Sequence, residues 1–276
     1  MPANQRNATE YNPNDLNLTL VASYQRRINA SLERVWENVH DWEHLPWLHD
    51  SAFGSISLEE QGDWGWRTLT TSPGSDRQML VELCVKEADG CYVARSYQDG
   101  QQISEIWTHL TPEASGDATD IRVEFHVPDV AENAAAKVGN LYLTLYRKLW
   151  DEDEEMMIRR HTRLNEQEFG PDAINLGSRE ALLEQLPLTV KLRRGEFRII
   201  EQDGELLVYS TICPHLLGPL EDAEIKDSCV TCPWHGYQFD IRSRECVTSD
   251  RQQYQLARPP QIWEQDGELV LSHQAP

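Results

Sequence analysis

Apolar residues begin to recur at Leu18 and run strand-like through Val21 to Ile28. Ser31 then precedes Leu32, Val35, Trp36 and Val39, which are apolar at i, i+3, i+4 and i+7. That spacing lays one stripe on a helix, and a serine at its head can cap an unpaired backbone amide. Six strand-like segments follow near 52–60, 64–71, 79–86, 91–98, 103–111 and 119–127. In the last, Ile121, Val123, Phe125 and Val127 alternate with Asp120, Arg122, Glu124 and His126, the period of a sheet with one buried face. Residues 134–165 read as a long helix with an apolar stripe through Val138, Leu141, Leu145, Leu149, Met156 and Met157. The order strand, helix, six strands, long helix predicts a curved antiparallel sheet gripping its terminal helix, with a cavity between them.

Past residue 165 the pattern changes. Residues 166–185 read as a linker with one short helix, and from Leu186 onward the chain is all-β. Asp203-Gly204 and Asp266-Gly267 each sit between apolar runs, the strongest short hairpin signal. The expected fold class is α+β: a disordered, Asn-rich tail over 1–15, a sheet-and-helix domain over 16–165, the linker, and a β domain over 186–276.

Composition narrows the function. The 276 residues are 39% hydrophobic and 26% charged, a globular balance. With 46 acidic against 25 basic residues, the formal net charge of −21 repels phosphate backbones and anionic lipids, so neither nucleic acid nor a membrane is an expected partner. The amino terminus lacks the basic-then-apolar pattern of a secretory signal, and six cysteines are too few for a disulfide scaffold. A cytoplasmic location is the expectation.

The cysteines matter by position. Cys213-Pro-His215 is followed, after sixteen residues, by Cys232-Pro-Trp-His235. Each loop supplies one cysteine and one histidine. Two thiolates on one iron and two imidazoles on the other form the ligand set of a Rieske [2Fe–2S] cluster. A zinc site would more usually pair like with like. The stretch CPHLLGPL…CPWHGYQFD resembles the cluster domain of Rieske ferredoxins and Rieske oxygenases over about 186–272. Respiratory Rieske proteins resemble CTHLGC and CPCHGS, with a disulfide between the loops; here Gly218 and Trp234 occupy those positions. The potential is therefore expected at the low end of the range, on the order of −150 mV. Cys229 and Cys246 read as small core residues.

The first helix carries Asn38-x-x-Asp41-x-x-His44-x-x-x-x-His49. Two histidines and a carboxylate on one face of an iron leave positions open for dioxygen and substrate. Residues five apart on a continuous helix lie about 140° around its axis and cannot share a metal, so a break at Pro46 is expected. The spacing matches the iron motif of the Rieske non-haem iron oxygenases, which place it after the first strand of a helix-grip (START-like) domain. The resemblance implies His44 and His49 as ligands of a mononuclear Fe(II), Asp41 as the catalytic bridge to a cluster histidine, and Asn38 beside them. The third family ligand is an acid early in the last helix. Of the run Asp151–Glu155, Asp153 lies on the apolar stripe, Glu152 lies close to it, and Asp151 and Glu155 point away. Asp153 is the choice, with Glu152 and Asp151 as alternatives.

Known oxygenase subunits carry the cluster domain first; this chain reverses the order. The resemblance implies an oxygenase that takes electrons from an external reductase or ferredoxin and oxidises a small organic substrate with O2, in a homotrimer. Helix-grip domains without metal also carry a Val-Trp…Asp…Pro-Trp pattern, which VWENVHDWEHLPW fits. The alternative is therefore a ligand-binding helix-grip domain fused to a Rieske electron carrier.

Overall fold

The alternating segments pair in the order in which they can reach one another. Strands β1 (Leu18–Ile28), β2 (Ile56–Gly62), β3 (Gly65–Thr71), β4 (Gln78–Lys86), β5 (Cys91–Gln98), β6 (Gln101–Pro112) and β7 (Thr119–Pro128) form one antiparallel sheet, ordered β1-β7-β6-β5-β4-β3-β2. The computed structural model describes residues 16–166 and 170–274, so the tail expected over 1–15 lies outside the described residues. The chain divides into two compact units, Met1–Ile158 and Arg159–Pro276.

In the first unit, α1 (Leu32–His40) starts where expected, with the Ser31 hydroxyl accepting from the Arg34 amide at 3.4 Å. Its Val35 and Val39 pack with Trp66, Val81, Leu83, Leu110 and Ile121 of the sheet, and with Trp150 and Met157 of α3 (Glu132–Asn165). Helices thus cover one face of the sheet. Segment 52–60 begins its strand only at Ile56, because the Ala52 and Phe53 amides turn back onto the His49 carbonyl.

The apolar stripe expected on α3 is corrected. Leu141 and Leu145 are exposed, at 65% and 38%, and the core side instead carries Tyr142, Tyr146, Trp150, Asp153 and Met157. Tyr142 and Tyr146 pack on Phe125, with ring centroids 5.2 and 4.8 Å apart. Aromatic residues with polar tips fill this face, so a stripe drawn through the leucines lies one step off it.

The sheet's other face carries charge in its middle. Arg67, Glu82, Arg95 and Glu105 stand opposite one another on β3, β4, β5 and β6. Arg67 Nη2 lies 2.6 Å from Glu82, and Arg95 bonds Glu82 at 3.1 Å and Glu105 at 3.0 Å. Glu82, Arg95 and Glu105 are all at most 1% exposed. Their charges are paired, as buried charges must be. The Trp107 indole N–H adds a bond to Glu105 at 3.0 Å.

The second unit holds β8 (Ala173–Gly177), α4 (Arg179–Leu183), β9 (Leu188–Leu192), β10 (Gly195–Gln202), β11 (Glu205–Ser210), β12 (Ile225–Lys226), β13 (Cys229–Thr231), β14 (Gln238–Asp240), β15 (Gln261–Gln265) and β16 (Glu268–Ser272). They make three three-stranded sheets, β11-β10-β9, β12-β13-β14 and β15-β16-β8. Both Asp-Gly hairpins form, with Asp203, Gly204, Asp266 and Gly267 all at positive φ (55°, 82°, 51° and 83°). That is the type I′ geometry that matches strand twist.

The linker expected over 166–185 is also corrected. β8 pairs with β16, and Leu176 and Leu182 are buried with Leu192, Phe197, Ile199 and Leu271. Residues 173–183 of this segment are part of the second unit's core. Alone it shows one short apolar run, and its partner strand lies about ninety residues away. No helix among the described residues is long and apolar enough to cross a membrane.

Candidate metal centres

In the second unit, two loops of the same build present the four residues of the Cys-Pro-x-His motifs. The Cys213 amide bonds the Gly218 carbonyl (2.9 Å) and the Leu217 amide returns to the Cys213 carbonyl (3.1 Å). In the other loop the Cys232 amide bonds the Tyr237 carbonyl (2.8 Å) and the Gly236 amide returns to the Cys232 carbonyl (2.9 Å). The residue four places after each cysteine takes left-handed backbone, Leu217 at φ 64° and Gly236 at φ 67°. Two similar turns thus face each other.

Between them the side chains converge. The His215 and His235 rings lie 4.5 Å apart at 80°. The two thiols act on one another: Cys213, helped by His235, holds Cys232 below the usual thiol value, while Cys232 and burial drive Cys213 upward. Cys213 and Cys232 are each 1% exposed. Two buried sulfurs and two imidazoles set edge to face fit a [2Fe–2S] cluster with mixed ligands. Gly218 is part of the cradle, since a Cβ there would meet Cys232 Sγ at 2.8 Å and Trp234 at 3.1 Å. Tyr237 stacks on His215 at 4.7 Å and receives a 2.6 Å hydrogen bond from Arg251 Nε. Cys246 is buried and bridges Phe239, and Cys229 is half-buried at the start of β13.

In the first unit, the break that brings the two histidines together is not at Pro46. The chain leaves α1 at Asp41, which is extended (φ −90°, ψ 94°). A four-residue helix, α2 (Leu45–Leu48), follows, with His44 at its N-cap, His49 at its C-cap and Pro46 in its first turn. Proline is tolerated there because first-turn amides have no intrahelical acceptor. The two histidines flank α2, and their rings stand 5.2 Å apart.

Both imidazoles aim Nε2 at one carboxylate oxygen. Asp153 Oδ1 lies 3.5 Å from His44 Nε2 and 3.1 Å from His49 Nε2. One ligand atom from each of the three residues falls within 4.8 Å of the others. His44, His49 and Asp153 are 3%, 1% and 9% exposed. Asn38 Nδ2 donates to Asp153 Oδ1 at 3.0 Å, and Asp41 Oδ2 lies 3.5 Å from His44 Nδ1. Burial opposes charge on both partners, but Asp153, with help from Glu152, lifts His49 above the ordinary histidine value. His49, then His44 and Asn38, hold Asp153 below the usual carboxylate range. Two Nε2 atoms and one carboxylate on one side of a point fit a divalent iron with open positions.

The acidic run divides its work around the helix. Asp151 is exposed and bonds Arg26 at 2.5 Å. Glu152 reaches His49 Nδ1 at 2.7 Å, and Asp153 faces the histidines. Glu154 accepts from the Asn29 backbone amide at 2.7 Å and pairs with Arg26, so it pins α3 to the turn after β1. The alternatives Glu152 and Asp151 therefore stand apart from the converging atoms. His40 bonds exposed Glu87 at 2.8 Å, and His109 and His126 stand near Glu124 on the sheet's charged face.

Comparison with known proteins places part of the chain. Residues 174–260 match the family model described as Rieske [2Fe-2S] domain. The matched residues carry the four Cys-Pro-x-His motif residues and lie downstream of the sheet-and-helix unit. A curated relative, the cholesterol 7-desaturase of Hemicentrotus pulcherrimus, is 30% identical over 88 residues, 29% of this chain and 19% of that protein. The chain thus matches about a fifth of that relative's length. Solved structures similar to this chain include truncated norcoclaurine synthase from Thalictrum flavum (16% identity, TM-score 0.39, covering 53% of this chain and 97% of that one). A START superfamily protein from Mycobacterium smegmatis is similar at 16% identity and TM-score 0.38, covering 49% and 95%.

Proposed function

We propose that this chain is a Rieske-type oxygenase: a low-potential [2Fe–2S] cluster held by Cys213, His215, Cys232 and His235 serves a mononuclear Fe(II) held by His44, His49 and Asp153. The observation that carries the reading is the convergence of both Nε2 atoms on Asp153 Oδ1, at 3.5 and 3.1 Å. When bound, the mononuclear iron would supply dioxygen activation next to a small organic substrate. The chain's own residues do the rest. Asn38 fixes the Asp153 carboxylate, and α2 holds the two imidazoles at a set separation. Asp41, beside His44 Nδ1, is the proposed bridge through which a cluster histidine addresses the iron histidine. Burial of His44, His49 and Asp153 limits access of bulk water to the site. An external reductase or ferredoxin as electron donor, and a homotrimer as the assembly, belong to the same proposal.

The test is metal analysis after anaerobic reconstitution with excess ferrous ion. The oxygenase requires three irons and two acid-labile sulfides per chain. His44→Ala should leave two irons, an intact Rieske spectrum and no oxygen-dependent product. A wild type that retains only two irons overturns the reading and leaves a ligand-binding domain fused to a Rieske carrier.

A further inference from the structure

We infer that Glu152 is the positioning residue that selects the ligating nitrogen of His49, an assignment that rests on reading His44, His49 and Asp153 as a metal triad. A neutral imidazole has one N–H and one lone pair, so the nitrogen free to ligate is decided by where the proton is held. Glu152 Oε2 lies 2.7 Å from His49 Nδ1, on the side of the ring away from Asp153. A carboxylate at that distance accepts from an N–H. Glu152 therefore keeps the proton on Nδ1 and leaves the Nε2 lone pair aimed at the site. Its negative charge also makes that lone pair a stronger donor.

Glu152 is itself held. Its Oε1 lies 3.5 Å from Lys148 Nζ, one turn earlier on α3, and Lys148 donates to the Ser51 hydroxyl. Two contacts from one turn of α3 thus clasp the chain at His49 and two residues beyond it. The partners on the other two triad members are different. Asp41 stands at 3.5 Å from His44 Nδ1, and Asn38 gives Asp153 a neutral amide. Of the three, the Glu152–His49 contact is the shortest and the one that brings a carboxylate to full hydrogen-bond distance. A solvated acidic face would look otherwise: Asp151, next in the chain, is 68% exposed at its side chain, whereas Glu152 is 24% exposed.

The test uses the full chain with its cluster loaded. Glu152→Gln keeps the shape and an accepting oxygen without the charge; Glu152→Ala removes the acceptor. Ferrous-ion affinity, measured by anaerobic equilibrium dialysis, should weaken about tenfold in the first and up to about a hundredfold in the second. The Rieske spectrum and the thermal unfolding midpoint should stay at wild-type values. Nitrogen-15 spectra at pH 8 without added ferrous ion should show His49 protonated at Nδ1 in the wild type and a mixture of tautomers in Glu152→Ala. Ferrous affinity within twofold of wild type in both variants, or a wild-type His49 protonated at Nε2, overturns the assignment. A wild type that binds no ferrous ion here overturns instead the triad on which it rests.

Discussion

Gly218 and Cys232 approach so closely across the two cluster loops that a single added carbon on Gly218 would stand 2.8 Å from the Cys232 sulfur. The sulfur is a proposed cluster ligand and cannot retreat without leaving its iron. Gly218→Ala should therefore lower the visible absorbance and the iron and sulfide content per chain by roughly half or more, while far-ultraviolet circular dichroism stays close to wild type. A fully loaded Gly218→Ala protein would show that the loop yields.

The Asp-Gly hairpins allow a cleaner test of backbone cost alone. A Cβ at Gly204 or Gly267 would meet nothing within 4 Å, yet both residues have φ above 80°. Gly204→Ala and Gly267→Ala should each destabilise by about 1 kcal/mol, without change in cluster content. Because the two turns lie on different sheets, the double variant should lose about the sum in denaturant unfolding.

Acidification should expose the buried pair in the second unit. Burial opposes the Glu196 carboxylate, but Arg163 at 2.9 Å, the Thr211 hydroxyl at 2.8 Å and Lys191 together hold its pKa below the usual glutamate value. A depressed folded-state pKa means that its contribution is complete above the unfolded value of about 4.3 and fades as pH falls through the folded one. Glu196→Gln should therefore cost about 1.5–3 kcal/mol at pH 7, and the gap to wild type should narrow below about pH 4. Thermal melts followed by circular dichroism across that range decide it; a gap that widens on acidification has the wrong sign.

Removing Arg95 should be the most damaging of these changes. Its guanidinium bonds Glu82 and Glu105 with no exposure of its own. Arg95→Met should cost about 3–5 kcal/mol, since it strands the Glu105 carboxylate in a buried site. Adding Glu105→Gln should recover part of the loss, as a double-mutant cycle in urea would show.

The cluster loops were legible from the sequence because all four proposed ligands sit in two short segments, where chemistry and spacing coincide. The triad was legible only in part. Asp153 follows from its place four residues before Met157, yet the leucine stripe passes through Leu141 and Leu145, which face outward. Asp153 still faces the two histidines because Trp150 and Met157 bracket the same face. Pro46 is the strongest local signal for a break between His44 and His49, but the helix ends at Asp41, and Pro46 sits in the first turn of α2, where proline is tolerated. Glu152 shows in the sequence only as an acid close to the stripe; its contact with His49 Nδ1 does not, because that partner is 103 residues away. The segment 166–185 read as a linker because a strand completed only by a distant partner looks polar and short on its own.

The charged row across the middle of the sheet has a consequence for how the chain sorts its pairings. Side chains alternate between faces, so sliding β5 by one residue would carry Arg95 to the helix-covered face and Ala94 to the charged one. The guanidinium would then lie among Leu83, Ile106 and their neighbours with no carboxylate in reach, at a cost on the order of several kcal/mol. Neighbouring hydrophobic residues would tolerate such a slip far more cheaply, since one aliphatic side chain substitutes for another. Four charges of alternating sign on four successive strands thus make misaligned sheets expensive while adding little to the aligned one, and their effect belongs to the fidelity of folding.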